Sequence, residues 1–130
     1  MPEKIQEKVQ SHRDLIVWKK SIDLSLDIYK LTEKFPKEEI YGLTSQMRRA
    51  SISIASNIAE GRNRGTRKDY CQFLRISYGS CAELETQIEI SKRLPFGKGL
   101  DYTKINSDII EISKILNVII RKLSYNIDGQ

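Results

Sequence analysis

A short basic segment, AEGRNRGTRK at residues 59–68, contains the residue types in this sequence that are best suited to bind a polyanion. It places Arg62, Arg64, Arg67 and Lys68 beside two glycines. Arginine makes bidentate contacts with phosphate, and glycine allows a ligand to approach the backbone closely. A helix expected to begin at Thr66 adds free backbone N–H groups and the positive end of its dipole. The same composition is also ordinary for a solvated connection between two helices, so both interpretations stay open.

The positive charge of the chain is concentrated around this segment. Of the 22 Lys and Arg residues, six lie within residues 44–68, whereas Glu60 is the only one of the 17 acidic residues in that range. The rest of the chain is balanced, with 16 of each sign. A localised basic region is typical of a surface that binds nucleic acid. The predicted phosphate contacts are Arg48, Arg62, Arg64, Arg67 and Lys68.

Other kinds of site find little support in the sequence. Cys71 and Cys81 fall on one predicted helix about 15 Å apart, which is too far for a disulfide. Together with the single His12 they form no metal-ligand pattern. No nucleophile is paired with a base, so we expect neither an enzyme nor a cofactor. No apolar run approaches the ~20 residues of a membrane span, and no signal sequence is recognisable, so we expect a cytoplasmic protein without a membrane partner.

Four segments have apolar residues at helical spacing, and strand signals are nearly absent. The predicted helices cover about residues 13–34, 42–60, 66–94 and 101–124, and Gly61 is the expected C-terminal cap of the second. Short connections between long helices favour an all-α, up-down-up-down antiparallel four-helix bundle. The predicted domain spans residues 12–124, with flexible tails at residues 1–11 and 125–130.

A polar stripe accompanies the core stripe of helix 2. It includes Arg49, Asn57 and Glu60, and Glu85 on helix 3 is the candidate partner of Arg49. Because a buried charge requires a partner, we interpret these four residues as an inter-helix network that fixes the register of the helices. A ligand-binding or catalytic cluster is the alternative.

Helices 1 and 4 carry more apolar surface than one bundle core uses. On helix 1, Leu15, Trp18, Ile22, Leu26 and Tyr29 form one stripe, and Val17, Leu24, Ile28, Leu31 and Phe35 form another on the opposite side. A surface helix needs only one apolar face. The second face therefore predicts a covering partner, and another copy of the chain is the first candidate.

Several motifs together resemble one family. These are LIVWK at residues 15–19, YKLTEKFP at 29–36, EIYGLTSQMRRA at 39–50, SIASNIAEG at 53–61 and YGSCAELETQ at 78–87. They are similar to the four-helix bundle family encoded in intervening sequences of bacterial 23S ribosomal RNA genes, also called the S23 ribosomal protein family. The resemblance covers about residues 12–123.

This resemblance implies a small bacterial four-helix bundle with no known enzymatic activity. The family is similar in turn to the accessory variability proteins of diversity-generating retroelements, which form pentamers with a basic surface that binds nucleic acid and a reverse transcriptase. We therefore expect a homo-oligomer, with a pentamer favoured, that binds structured RNA or another nucleic acid. An oligomeric scaffold that recruits a protein partner is the second hypothesis.

Overall fold

The computed structural model describes residues 11–128, and in that range it contains four α-helices and no strand. They are α1 (Ile16–Thr32), α2 (Leu43–Arg62), α3 (Arg67–Arg93) and α4 (Thr103–Asp128). Short 3₁₀ turns, His12–Asp14 and Lys37–Glu39, precede α1 and α2. Each helix packs against its neighbours in sequence, and α1 also packs against α4, which closes the bundle. The predicted all-α four-helix bundle is confirmed.

The apolar stripes meet in one core. Fully buried side chains come from all four helices, among them Leu24, Ile54, Leu84 and Ile112. One position differs from the prediction, because Ile120 is buried where the predicted seam of α4 had Ile119, which is only partly buried. A straight helix has 3.6 residues per turn, so a strict heptad seam drifts around it and the buried position moves forward by one residue.

The glycines in the helices have different surroundings from those predicted. Gly61 lies inside α2 and is buried, and the residue that caps this helix is Asn63. A Cβ atom on Gly61 would lie 2.6 Å from the Cβ of Phe73. Gly61 is therefore needed for a close approach of α2 to α3, and the predicted role as a cap is wrong. Gly79 lies inside α3, and a Cβ placed on it would have no neighbouring atom within 4 Å.

One of the two apolar stripes of α1, the one that contains Ile22, Leu26 and Tyr29, faces outward in the single chain. Leu26 is 56% exposed, and Ile22 and Tyr29 are also exposed. On α4, Ile110 and Val118 are each 50% exposed. The prediction that these helices have an apolar face outside the bundle core is therefore confirmed.

The ends of the chain differ a little from the sequence-based expectations. The helix α4 continues to Asp128, past its predicted end at Ser124. Residues 1–10 and 129–130 lie outside the described residues, so the flexible tails stay a prediction. Within the described part of the chain, no helix has both the length and the apolar character needed to cross a bilayer.

Candidate nucleic-acid interface

The connection between α2 and α3 is held at both of its ends. The side chain of Asn63 donates a hydrogen bond to the carbonyl of Ala59 (2.7 Å) and lies 2.9 Å from Nδ1 of His12. Thr66 is the N-cap of α3, and its Oγ1 accepts a hydrogen bond from the backbone N–H of Asp69 at 3.1 Å. Gly65 adopts a φ of 96°, a left-handed conformation in which glycine is favoured. The connection is therefore a defined turn.

His12 belongs to this turn rather than to a solvated tail. Its ring makes an edge contact with Trp18, with 5.0 Å between the two centroids, in addition to its contact with Asn63. The sequence placed this histidine in a polar N-terminal segment. The structure instead uses it to attach the start of α1 to the end of α2.

The four basic residues of the turn have different environments. Arg64 forms an ion pair with Glu60 (3.0 Å) and lies 4.9 Å from the centroid of the Phe73 ring. Arg62 is half-buried, and its charge opposes the rise that burial causes in the pKa of Tyr70. Arg67 and Lys68 are exposed in the first turn of α3, and neither belongs to an ion pair among the described side chains. Arg67 and Lys68 are thus the cations of this turn that are open to an external anion.

Arg48 lies apart from these residues. It is 14 positions before Arg62 on α2, which corresponds to about 21 Å along the helix axis. Its Nε donates to Oγ1 of Thr32 (2.9 Å), and its guanidinium lies 4.4 Å from the centroid of the Tyr29 ring. Arg48 therefore joins α2 to α1, and the structure does not bring it together with the predicted phosphate-binding residues.

Antiparallel packing adds other cations to the end of the bundle that carries the turn. Arg75 of α3 donates to Oγ of Ser124 in α4 at 2.6 Å, which places the last turns of α4 beside the first turns of α3. We define the basic end as Arg13, Arg62, Arg64, Arg67, Lys68, Arg75, Arg121 and Lys122, all of them exposed except the half-buried Arg62. Among the described side chains of these terminal turns, the acidic ones are Glu60 and Asp69. The fold therefore produces a larger basic surface than the loop alone.

The predicted network of Arg49, Asn57, Glu60 and Glu85 is not formed as expected. Three of the four are exposed, and only Asn57 is half-buried. Arg49 lines a groove between α2 and α3, where its acidic neighbour is Glu83, whereas Glu85 lines a separate groove with Lys114 of α4. Residues two apart on a helix point about 200° apart, so Glu83 and Glu85 cannot face the same neighbour.

Serine hydroxyls make the polar contacts between α2 and α3 that the sequence analysis missed. The hydroxyls of Ser53 and Ser80 are 2.9 Å apart, and Ser77 donates to the carbonyl of Ile54 at 2.9 Å. Asn57 donates to both the carbonyl and the hydroxyl of Ser53. The signal in the sequence is a set of small polar residues at core-stripe positions, where apolar ones are the rule.

Cysteine and metal chemistry has no place at this interface. Cys71 and Cys81 are both free and buried. Burial raises the pKa of the Cys81 thiol to about 11, so the thiolate is disfavoured. Residues 11–128 contain no group of three or more His, Cys, Asp or Glu that could hold a metal ion.

Comparisons with known proteins fix the family. The model of the 23S rRNA-intervening sequence protein family matches residues 13–118. The chain belongs to this family. A similar solved structure is a protein of unknown function from the S23 ribosomal protein family of Bacteroides thetaiotaomicron, with a TM-score of 0.74 and 29% sequence identity. The match covers 82% of this chain and 96% of that one. A search of curated proteins gives no match.

The intervening-sequence family and the bundle fold are thus established for this chain, and the resemblance stated from its motifs is confirmed. The match includes α1, α2, α3 and most of α4, so the turn between α2 and α3 lies inside it. Six of the eight residues of the basic end therefore lie within the family match, and Arg121 and Lys122 lie beyond it.

Proposed function

We propose that this protein is a non-enzymatic, cytoplasmic bundle that binds the phosphate backbone of structured RNA through the basic end. The observation that carries the proposal is the convergence of eight Lys and Arg side chains on one end of the molecule, from α2, α3, α4, the turn between α2 and α3, and the 3₁₀ turn before α1. A cation cluster built from several elements acts on several phosphates at once, whereas a single charged loop acts on few. The family description, which refers to segments of 23S ribosomal RNA genes, favours RNA as the nucleic acid.

Arg67 and Lys68 supply the central contacts in this proposal. They have no carboxylate partner within the described residues, so binding a phosphate breaks no ion pair. The first backbone N–H groups of α3 lie beside them and favour an anion. Arg64 must break its ion pair with Glu60 before it can bind a phosphate, so its contact is weaker. Little of this surface reads base edges, so the expected preference is for structure rather than sequence.

The test is a titration of nuclease-treated protein with hairpin RNA, duplex RNA and duplex DNA across a salt series. One variant combines Arg64→Glu, Arg67→Glu and Lys68→Glu. A matched control combines Lys30→Glu, Lys37→Glu and Lys98→Glu, which are exposed lysines at the opposite end. Both variants have the same net charge, so the comparison isolates the position of the charges.

The proposal predicts steep salt dependence for the wild-type protein and the control. Each phosphate contact contributes about 0.7–0.9 to the slope of log K against log salt, so losing three contacts lowers the slope by about two. Equal losses in the two variants would show that net charge alone attracts RNA, and the assignment of the basic end would be wrong. Absence of binding at low salt would remove the proposed function itself.

A homo-oligomer, with a pentamer favoured by the family resemblance, is part of the same proposal. Its support is the apolar surface that the single chain leaves exposed at Ile22, Leu26, Ile110 and Val118. A ring of copies would repeat the basic end and multiply its phosphate contacts. Light scattering at micromolar concentration should give a multiple of 15.0 kDa. The substitution Leu26→Asp should reduce this mass, and a monomeric wild-type protein would contradict the proposal.

The exposed face of α1 also supports a second candidate function, a scaffold that recruits a protein partner. An apolar surface that stays exposed outside the bundle core is typical of a protein–protein interface. A partner captured by this protein after nuclease treatment, and lost on Leu26→Asp without a change in oligomeric mass, would favour the scaffold. Capture that disappears with nuclease would favour RNA binding.

A further inference from the structure

A polar groove between α2 and α3 lies away from the basic end. It has a volume of about 440 Å³, and its walls include Gln46, Arg49 and Ser53 of α2 and Glu83 of α3. Tyr41 lies at its edge and is 95% exposed. This volume is within the usual range of small-molecule sites, about 300–1,000 Å³.

Opposite charges face this groove without forming an ion pair. Arg49 and Glu83 both line it, yet no contact within 4 Å joins them, and Arg49 has no other ion-pair partner in residues 11–128. A ligand that offers an acceptor to the arginine and donors to the carboxylate could therefore bind between them. The groove thus has a donor on one wall and an acceptor on the other.

A buried amide contacts the acidic wall of the groove. Gln87 is only 5% exposed, and its Oε1 has no hydrogen-bond partner. Its Nε2 is directed at Oε2 of Glu83, at 3.5 Å. Gln87 lies one turn after Glu83 on α3 and does not itself line the groove, so its amide contacts the Glu83 carboxylate from the bundle interior. This contact holds the carboxylate on its wall of the groove.

These groups match the edges of one nucleobase. Guanine presents N1–H and N2–H donors on one edge, which suit the carboxylate of Glu83, and O6 and N7 acceptors beside them, which suit the guanidinium of Arg49. Adenine presents an unprotonated N1 to the carboxylate and lacks O6, so Glu83 loses its pair of adjacent donors and Arg49 keeps only the N7 acceptor. An exposed tyrosine at the edge of the groove offers a face on which an unpaired base stacks.

We infer that the groove between α2 and α3 is a subsite for an unpaired guanine of the bound RNA, with Glu83 and Arg49 reading the base and Tyr41 stacking on it. This inference rests on the proposed binding of RNA. It adds base recognition to a surface that otherwise contacts phosphates. Arg49 lies on the same helix as Arg62 of the basic end, about 20 Å from it along the helix axis. A few nucleotides of an RNA loop can span this distance.

The test uses three RNA hairpins with one common stem and a uridine loop that contains one guanosine, inosine or adenosine. The wild-type protein should bind the guanosine loop on the order of tenfold more tightly than the adenosine loop. Inosine, which keeps N1–H and lacks the N2 amino group, should fall between them. Tyr41→Ala should weaken binding of all three loops on the order of tenfold and leave the salt slope unchanged.

The decisive comparison is Glu83→Gln against Glu85→Gln. Both remove one negative charge from the same helix, but Glu85 faces the groove on the other side. Non-specific electrostatics predicts slightly tighter binding of every hairpin by both variants. The guanine subsite predicts that Glu83→Gln alone loses the preference for guanosine, with weaker binding of that loop and no weakening for adenosine.

Each outcome separates the subsite from the broader proposal. Equal, salt-dependent binding of the three loops by the wild-type protein would overturn the subsite and leave phosphate binding intact. No binding of any hairpin at low salt would overturn both. A change of oligomeric mass in Glu83→Gln or Tyr41→Ala, with guanosine preference unaltered, would show that the groove is a contact between copies and would also overturn the subsite.

Discussion

Alanine substitutions at two helical glycines test the packing of α2 against α3. Gly61 and Gly79 both lie inside helices, where alanine is favoured over glycine by about 1 kcal/mol. Their surroundings differ, because a Cβ on Gly79 meets no atom within 4 Å. A Cβ on Gly61 would lie 2.6 Å from Cβ of Phe73 and 3.3 Å from the backbone carbonyl oxygen of Tyr70. We therefore expect opposite effects on stability.

The size of the Gly61 effect follows from this overlap. Carbon atoms in good contact are about 3.5–4.0 Å apart, so the alanine methyl at Gly61 is about 1 Å too close to Phe73. A Cβ atom and a backbone carbonyl cannot move by changing rotamer, so α2 and α3 must separate locally. Overpacking of this kind costs about 1–3 kcal/mol. After subtracting the helical gain, Gly61→Ala should destabilise the protein by about 1 kcal/mol, and Gly79→Ala should stabilise it by a similar amount.

Urea denaturation and thermal unfolding, both followed by circular dichroism, measure the free energy of unfolding and the Tm of the two variants against the wild-type protein. For a chain of 130 residues, each kcal/mol corresponds to a shift of about 4 °C in Tm. The two variants should therefore differ by about 8 °C, with Gly61→Ala the lower. If Gly61→Ala is as stable as Gly79→Ala, the close approach of α2 to α3 has no energetic consequence and the reasoning fails.

Three other substitutions or treatments test single contacts. Arg48→Ala removes the contacts with Thr32 and the Tyr29 ring, so it should destabilise the fold by about 1–2 kcal/mol in urea and leave RNA affinity at the wild-type value. Tyr102→Phe deprives the Gly97 carbonyl and the Ser91 hydroxyl of a buried partner and should lower the free energy of unfolding by about 1–3 kcal/mol. Because the pKa of Cys81 is about 11, only about one thiol in a thousand is ionised at pH 8, and Ellman's reagent should label it fast only after unfolding or at higher pH.

The fold was largely predictable because its determinants are local. Apolar residues at helical spacing identify the four core stripes, and Thr66 with Asp69 marks the start of α3. Pro36 and Pro95 fall between helices, where they interrupt no hydrogen bonds of a helix. Each of these signals is carried by a few neighbouring residues, so no knowledge of the tertiary structure is required.

The rotation of each helix about its own axis was harder to predict. One residue changes the direction of a side chain by about 100°, so a small error moves a residue to another groove. An error of this kind explains why the sequence analysis paired Arg49 with Glu85, whereas the structure places Glu83 in the groove beside Arg49. The same kind of error explains why Ile119 was predicted to lie in the core, where the structure has Ile120 instead. Patterns of apolar residues fix this angle only to within about one residue.

The basic end was only partly predictable, because it depends on which helix ends meet. A charge count along the sequence identifies residues 44–68 as the basic region. This range groups Arg48 with the loop residues, although they lie about 21 Å apart along α2. The antiparallel topology instead groups that loop with Arg75 and with the end of α4 at Arg121 and Lys122. The topology was predicted, so the grouping could have been derived by pairing helix ends rather than by counting within a window.

The position of Arg67 and Lys68 argues that they are there for a ligand. The first turn of a helix carries the positive end of its dipole, where acidic side chains are favourable by about 0.3–1 kcal/mol each and basic ones are unfavourable. Neither residue has an ion-pair partner in the described structure that would offset this effect. Reversing both charges should therefore raise the free energy of unfolding by about 1 kcal/mol while weakening RNA binding. A less stable double variant would show that these cations hold the fold together, and the argument for a phosphate ligand would then lose its physical basis.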